Sequence, residues 1–247
     1  MNERNGSSGR RRLWLAWIVL VAVVVGVGGF AATRSKLLDV DEVQVVLTGD
    51  GPLTAAEVAE VAGVSTGTPM VTVDLDALVA RVRGLAYAAE VVAERDWPST
   101  VRVWVAVRQP VVNAVQPGGH VALLDAGGTV LEHVEHADPL LPTVRVDRFG
   151  EPGSLVRRIG PLLRAAEAVP PDLGAWILAL SPAGHGVRAE MVGGVMVDLG
   201  LGEDYVDEMH SLATVLTRLT RAELRCLESI NVSIPQNPVV VRSATGC

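Results

Sequence analysis

The chain has 247 residues, of which 49% are hydrophobic and 20% are charged. This composition supports a packed core and excludes an intrinsically disordered protein. A formal net charge of -7 and an aromatic content of only 4% argue against a nucleic-acid-binding protein, which needs a positive surface and aromatic platforms for the bases.

The first predicted element is a transmembrane helix over residues 13–32. This segment contains no charged residue, and a helix of this length spans roughly 30 Å, the thickness of the hydrocarbon core of a bilayer. Trp14 and Trp17 lie near its N-terminal end, where aromatic side chains contact lipid headgroups. The alternative is a cleaved signal peptide, but the apolar region of such peptides is shorter, and the bulky Phe30 makes 30–32 a poor cleavage site.

The charges around this segment predict its orientation. Arg10, Arg11 and Arg12 stand directly before it, and the positive-inside rule therefore places the N-terminus in the cytoplasm. Residues 1–12 carry a net charge of +3, and the remainder of the chain carries -10. We expect a basic cytoplasmic tail over 1–12, a single membrane pass, a linker over 33–39 and an acidic body outside the membrane.

A small α+β domain is predicted over residues 40–108, with the order strand, helix, helix, strand, strand. A β-branched run over 40–47 leads into a capping box at Thr54 and Glu57, which begins a helix that Gly63 ends. Asp74 begins the second helix, and strands over 89–95 and 100–108 follow.

A strand-rich mixed β domain with two longer helices is predicted over 109–242, followed by a short tail over 243–247. A hairpin surrounds 125–128, and one helix follows from Ser154, with Pro161 either kinking it or delaying its start. The other helix runs from Glu203 to about Arg221. The remaining predicted strands are 175–180, 187–192, 194–199, 230–234 and 239–241.

The sequence shows no catalytic motif, no cofactor-binding motif and no metal-ligand spacing, so neither an enzyme nor a metalloprotein is predicted. The strongest metal candidate is the run 132–136, which contains His133, Glu135 and His136, and we interpret it as a solvated polar loop. Cys226 is predicted to be a small buried residue, and whether it pairs with Cys247 is left open.

Three stretches of the small domain resemble the POTRA domain of the FtsQ/DivIB cell-division family. They are the strand that ends in a glycine turn, the segment 62–74, and the segment 95–111, whose Trp-Pro pair between two strands is the most specific feature. The motif positions are Gly49, Gly63, Pro69, Asp74, Arg95, Trp97, Pro98 and Pro110. With the basic tail and the membrane segment, the resemblance covers most of residues 10–112.

The resemblance implies a non-enzymatic divisome scaffold in the bacterial cell membrane, concentrated at the septum. It also implies FtsB-like and FtsL-like bitopic partners, and a role in recruiting and regulating the septal peptidoglycan synthase complex of FtsW-like and FtsI-like proteins. Two other classes stay open: a POTRA-containing factor for transport or assembly of envelope polypeptides, and a membrane-anchored envelope enzyme with an unrecognised site in 112–242. Substitution of His133, Glu135 and His136 distinguishes them, because only the enzyme should lose activity.

The family's partner-binding edge, onto which the FtsB-like partner adds a strand, corresponds to residues 229–243. Pro235 and Pro238 would interrupt any strand ladder between them. The alternative is that these strands merely close a core sheet. The sequence also lacks the aromatic residue that some relatives have near Ile234. The candidate contact residues are Ile230, Val232, Ile234, Val239, Val240 and Val241.

Overall fold

The computed structural model describes residues 14, 17–25, 38–184 and 186–243, apart from the side chains of 221 and 222. Residues 14 and 17–25 are helical, and the side chains of Trp14 and Trp17 are exposed. Within the described ranges, no helix has the length and apolar character needed to cross a membrane. Much of the predicted membrane segment and all three arginines at 10–12 lie outside these ranges, so the membrane anchor and its orientation stay predictions.

The chain divides into two compact units. The first extends to Thr48 and includes Leu53–Arg83 and Glu90–Ala106, whereas the second includes Gly49–Pro52, Gly84–Ala89 and the chain from Val107 onward. The predicted domain limits of 40–108 and 109–242 stay predictions.

The first unit contains the predicted strand–helix–helix–strand–strand order. Its three-stranded sheet has the order β1-β3-β2, and β1 is parallel to β3, with Glu42 opposite Thr100 and Thr48 opposite Ala106. A short 3-10 helix, Met70–Thr72, precedes the second α-helix. The elements are β1 (Glu42–Thr48), α1 (Ala55–Ala62), α2 (Leu75–Val82), β2 (Ala88–Asp96) and β3 (Thr100–Val107).

The helix ends of this unit follow from their capping residues. The Thr54 hydroxyl accepts a hydrogen bond from the Glu57 N–H at 3.2 Å, and the Asp74 carboxylate accepts one from the Ala77 N–H at 3.0 Å. Gly63 ends α1 in the left-handed conformation, with φ of 63°. The predicted reciprocal bond from Glu57 to the Thr54 backbone is not formed among the described residues, so the N-terminus of α1 has only half of the capping box.

In the motif around Trp97, Arg95 joins the sheet to the loop that precedes α2. The Arg95 guanidinium donates to the carbonyl oxygens of Met70 at 3.0 Å and Val73 at 2.5 Å. The Trp97–Pro98 peptide bond is cis, and the Trp97 side chain is exposed. Arg95 therefore ties the sheet to both ends of the short 3-10 helix, whose Met70 carbonyl also accepts from the Val73 N–H at 3.4 Å.

The second unit is built on a nine-stranded mixed sheet. The strand order is β12-β11-β10-β9-β8-β7-β4-β5-β6, and the pairs β10–β11, β4–β7 and β7–β8 are parallel. Its strands are β4 (Val112–Val115), β5 (Val121–Leu124), β6 (Val130–Val134), β7 (Thr143–Arg145), β8 (Ile177–Ala183), β9 (Gly186–Met191), β10 (Met196–Gly200), β11 (Leu227–Asn231) and β12 (Val239–Arg242). Its helices are α3 (Gly160–Glu167), α4 (Pro171–Gly174), α5 (Val206–Arg218) and α6 (Arg221–Arg225).

The core of this unit lies on one face of the sheet. Leu162 of α3, Leu173 of α4 and Leu212 of α5 are buried in one cluster with sheet residues such as Leu180 and Val197. On the opposite face, half-exposed ion pairs cross between strands: Arg145 with Glu190 at 2.6 Å and Arg188 with Asp198 at 2.7 Å. Strands β9 and β10 therefore alternate between buried and less buried residues, as a sheet covered on one side requires, whereas all four residues of β5 are buried.

Two predicted elements of this unit are wrong in extent, and a third follows one of its two predicted alternatives. The helix predicted from Ser154 begins at Gly160, which is the delayed start, because Pro161 fits only the first turn of a helix. The helix predicted over 203–221 is Val206–Arg218, and Thr220 begins a separate short helix, α6. The strand predicted over 230–234 ends at Asn231, whose side chain accepts hydrogen bonds from Ser233 at 3.0 Å and 2.7 Å and so closes a turn.

Two leucines on β8 test which face carries the stability. Leu180 is fully buried, whereas Leu178 is 51% exposed on the same strand. We expect Leu180→Ala to lower the free energy of unfolding by about 3 kcal/mol, because it leaves a cavity in the core. Leu178→Ala should cost less than about 1 kcal/mol. Urea denaturation measures both, and equal losses would contradict the one-sided core.

Candidate functional site

Strand β12 is the last strand at one end of the nine-stranded sheet and pairs, among the described strands, with β11 alone. The pairing is antiparallel, with Asn231 opposite Val239, Ile230 opposite Val240 and Ser229 opposite Val241. Its other edge has no neighbouring strand in the described part of the chain. This edge is the site that the sequence predicted for partner binding.

The side chains of β12 alternate between the core and the surface. Val240 packs against the core cluster beside Ile230, which is fully buried. Val239 is 53% exposed and Val241 is 42% exposed on the other side of the strand. The edge therefore presents two uncovered apolar side chains next to its backbone.

The backbone groups of β12 also divide into two sets. The Val232 N–H, directly after β11, donates to the Asp198 carbonyl of β10 at 2.9 Å, so the backbone groups of the neighbouring residue Asn231 point towards β12 instead. Beyond the other end of β12, the Ser243 N–H donates to the Cys226 carbonyl at 2.8 Å. Because successive backbone groups in a strand point in opposite directions, the N–H groups of Val239 and Val241 face β11. Those of Val240 and Arg242 point away from the sheet and are open to a further strand.

An ion pair and a helix cap hold the end of β12 in place. The Arg242 guanidinium lies 3.2 Å from a carboxylate oxygen of Glu223, on the facing helix α6. That carboxylate also accepts hydrogen bonds from the N–H and the hydroxyl of Thr220, both at 2.9 Å, which completes a full capping box. The hydrogen bond from the Thr220 N–H is the largest cause that lowers the pKa of Glu223 below its ordinary value, followed by the Thr220 hydroxyl. Sequence analysis missed this cap, although the Thr-x-x-Glu spacing is its usual signal.

The predicted contact residues do not all lie on this edge. Ile230 and Val232 are fully buried and serve the core. Ile234 lies beyond the end of β11 and is 60% exposed, so it does not share the burial of Ile230 and Val232. As predicted, no strand covers the segment with Pro235 and Pro238, and the Pro235 carbonyl accepts a hydrogen bond from the Ser211 hydroxyl at 2.9 Å.

The polar run 132–136 is divided between a strand and a turn. His133 belongs to β6, where its Nε2 lies 3.0 Å from the Gly150 carbonyl oxygen and its ring packs 5.4 Å from that of Phe149. His133 is therefore an exposed strand residue, whereas Glu135 and His136 follow the strand and are also exposed. Among the described residues, no three or more His, Cys, Asp or Glu side chains are grouped to hold a metal ion.

Cys226, at the end of α6, is disulfide-bonded and half-buried. The other cysteine in the sequence, Cys247, lies outside the described residues. The sequence left the pairing of Cys226 open, and the residue is half-buried where full burial was predicted.

A buried ion pair was not predicted from the sequence. The Asp125 carboxylate is almost fully buried, accepts hydrogen bonds from the N–H groups of Gly127 and Thr129, and pairs with Arg108. The Arg108 guanidinium also donates to the Ala88 carbonyl at 3.2 Å. Nearby, Tyr87 donates a hydrogen bond to Glu132, and burial is the largest cause that raises the pKa of Tyr87. These contacts order the start of the β5–β6 hairpin and supply no reactive group.

Comparison with known proteins gives a consistent result. A model of the FtsQ-type POTRA domain matches residues 43–106. The chain is 30% identical over 243 residues to cell division protein FtsQ of Streptomyces collinus, covering 94% of this chain and 89% of the relative. It is also 30% identical over 217 residues to cell division protein FtsQ of Streptomyces coelicolor, covering 83% and 81%.

The chain belongs to the FtsQ family. The resemblance stated from the sequence is thereby confirmed. A mycobacterial relative, cell division protein FtsQ of Mycolicibacterium smegmatis, is 28% identical over 206 residues, which span 83% of this chain but only 60% of the relative. The FtsQ-type match contains the hydrogen-bonded Arg95 and the Asp74 cap, so these motif residues have structural roles in the first unit.

The capping box beside β12 predicts a pH dependence. Because the folded-state pKa of Glu223 is lowered, its stabilising contribution is present above the unfolded-state pKa and is lost as the pH falls through the folded-state pKa. We expect the Glu223 carboxyl to titrate below ordinary glutamates in an NMR pH titration. Thr220→Ala should raise the pKa towards the ordinary value, because it removes the hydroxyl donor. Titration of Glu223 at or above the ordinary value would contradict the cap.

Proposed function

We propose that this chain is a non-enzymatic scaffold of the bacterial division machinery, and that β12 binds its partner by strand addition. Membership of the FtsQ family supports the role in cell division. The uncovered edge of β12, with outward N–H groups at Val240 and Arg242, is the observation that supports the binding mode. An exposed edge supplies a ready ladder of donors and acceptors for an incoming strand.

The short length of β12 determines what the partner must provide. Four residues offer only two outward N–H groups, and each hydrogen bond contributes a net of roughly 0.5–1.5 kcal/mol. Main-chain pairing alone is therefore weak, and burial of Val239 and Val241 has to add to it. We expect the partner segment to be an extended strand with apolar residues at alternate positions, so that one of its faces covers these valines.

The proposed partners are FtsB-like and FtsL-like bitopic proteins, and the complex would help recruit and regulate a septal synthase of the FtsW/FtsI-like type. We propose a single-pass protein of the cell membrane, with residues 13–32 in the bilayer, the basic tail in the cytoplasm and both units outside. Family membership favours this scaffold over a transport factor or an envelope enzyme.

A proline substitution separates strand addition from the integrity of the sheet. Val240→Pro removes an outward N–H and leaves the bonds to β11 in place, which is the position an edge strand tolerates for proline. We expect capture of the FtsB-like partner to weaken about tenfold or more, with little change in unfolding free energy. The matched control, Val240→Thr, keeps the N–H and the β-branched shape and should bind nearly as wild type does.

Charges on the exposed side of β12 test the apolar contribution separately. Val239→Glu combined with Val241→Glu keeps every backbone group but prevents burial of the two side chains. Pull-down of the FtsB-like partner measures both sets of variants. Wild-type capture by the proline variant and by the charged variant would rule out this edge.

The cellular role has a direct test in living, dividing cells. A fluorescent protein fused to the N-terminus of the full chain should form a band at the division site that narrows as the cell constricts. An even distribution around the envelope throughout the cell cycle would contradict the divisome role.

A further inference from the structure

A cavity of about 1060 Å³ lies in the second unit, where the chain after β7 meets the segment that leads into α3. Its lining includes four arginines and a single aspartate, Asp147, and therefore has a formal charge of +3. The whole chain carries -7. The arginines are Arg145, Arg148, Arg157 and Arg158.

Three of these arginines have no partner in the described structure. Arg145 pairs with Glu190 at 2.6 Å. Arg148, Arg157 and Arg158 are exposed and form neither an ion pair nor a hydrogen bond with any described residue. Three free guanidinium groups around one cavity repel one another and attract an anionic ligand, which guanidinium forks bind through paired hydrogen bonds.

The backbone beside these arginines adds to the positive field. Helix α3 begins with Ile159 as its N-cap and has no side-chain cap and no acidic residue in its first turn. No side-chain cap or acidic side chain of the first turn therefore compensates the positive partial charge of its N-terminal N–H groups. Arg158 has a φ of 59°, a left-handed conformation that is costly for a non-glycine residue and recurs at ligand sites.

The floor of the cavity is apolar. Val146, Val156 and Ile159 line it and are largely buried, whereas Leu155 lines it with 66% of its surface exposed. A small inorganic anion would contact the arginine rim and leave this floor uncovered. The volume slightly exceeds the roughly 300–1,000 Å³ typical of small-molecule sites, so an extended ligand fits it better.

The backbone of Leu155 favours a polypeptide ligand. The Ser154 carbonyl accepts from the Val130 N–H at 2.8 Å, and the Val156 N–H donates to the Gly128 carbonyl at 2.9 Å. Leu155 is the residue between them, opposite Thr129 in an antiparallel bridge. Its own N–H and carbonyl therefore point away from Thr129, without a hydrogen bond to any described residue, and can pair with another backbone.

We propose that this cavity binds an acidic polypeptide segment whose carboxylates meet Arg148, Arg157 and Arg158 and whose apolar side chains cover Leu155 and the floor beneath it. The site uses charge and side-chain burial, and none of its residues belongs to β12. It is therefore independent of the proposed strand addition.

The test uses the full chain and a fluorescently labelled synthetic peptide of alternating glutamate and leucine. We expect the peptide to bind, and to bind less tightly as salt is added, because exposed charges are screened. A matched peptide with glutamine in place of glutamate should bind at least about tenfold more weakly. Equal binding of the two peptides, or no binding of the glutamate peptide, would overturn the proposal.

A triple variant tests the arginines. Arg148→Gln with Arg157→Gln and Arg158→Asn should weaken binding of the glutamate peptide about tenfold or more, and asparagine is chosen because it tolerates the left-handed conformation. The control is Arg218→Gln, which removes an exposed arginine without a described partner on α5 and should bind as wild type does. Unchanged binding by the triple variant would overturn the proposal.

Three further measurements keep the result specific. Thermal unfolding checks the fold of the triple variant. If that variant is unfolded, the single variant Arg148→Gln takes its place and should also weaken binding of the glutamate peptide.

Val240→Pro should bind the glutamate peptide as wild type does, and loss of binding there would place the peptide on β12 and refute the cavity. Arginine-dependent binding of inorganic phosphate or glycerol phosphate, with no binding of the peptide, would show a phosphate site instead.

Discussion

The structure of the second unit depends on one constraint, which is that every strand of a sheet must satisfy backbone donors and acceptors on both sides. The inner strands do so with their neighbours, but the sheet has two ends, β6 and β12. At β6, the segment 154–156 pairs with residues 128–130 and covers part of the edge. At β12, no described segment does this, and its outward groups face solvent or a partner.

The uncovered edge is joined to helix α6 near the C-terminal end of β12. Arg242 pairs with Glu223, whose carboxylate caps α6, and the Ser243 N–H bonds to Cys226 at the other end of that helix. A surface ion pair contributes only about 0–1 kcal/mol by itself, so these contacts position the strand more than they stabilise the fold. The stability comes from the apolar face beneath α3, α4 and α5.

The two proposed surfaces rely on different physics. Strand β12 offers main-chain groups and two exposed valines, and specificity there comes from the pattern of side chains that cover them. The arginine cavity offers unpaired positive charge above an apolar floor in a chain that is acidic as a whole. Salt should weaken binding at the cavity much more than binding at the edge, because charge attraction between exposed groups is screened and strand pairing is not.

The sequence by itself determined the features that depend on neighbouring residues. The caps at Thr54 and Asp74, the glycine end of α1 and the alternation along β3 are all local, and the order of elements in the first unit follows from them. The motif around Trp97 sufficed for the family, because its residues are close together in the chain.

Only the tertiary structure decided which strand forms the edge and which arginines share a cavity. The order β12-β11-β10-β9-β8-β7-β4 joins segments far apart in sequence, so periodicity carries no information about it. The predicted strand through Ile234 failed because the Asn231 turn, a local feature that the sequence prediction did not include, competes with the ladder. The helix predicted from Ser154 starts late because that segment first pairs with the β5–β6 hairpin, a contact made elsewhere in the fold, before Pro161 allows a helix to begin.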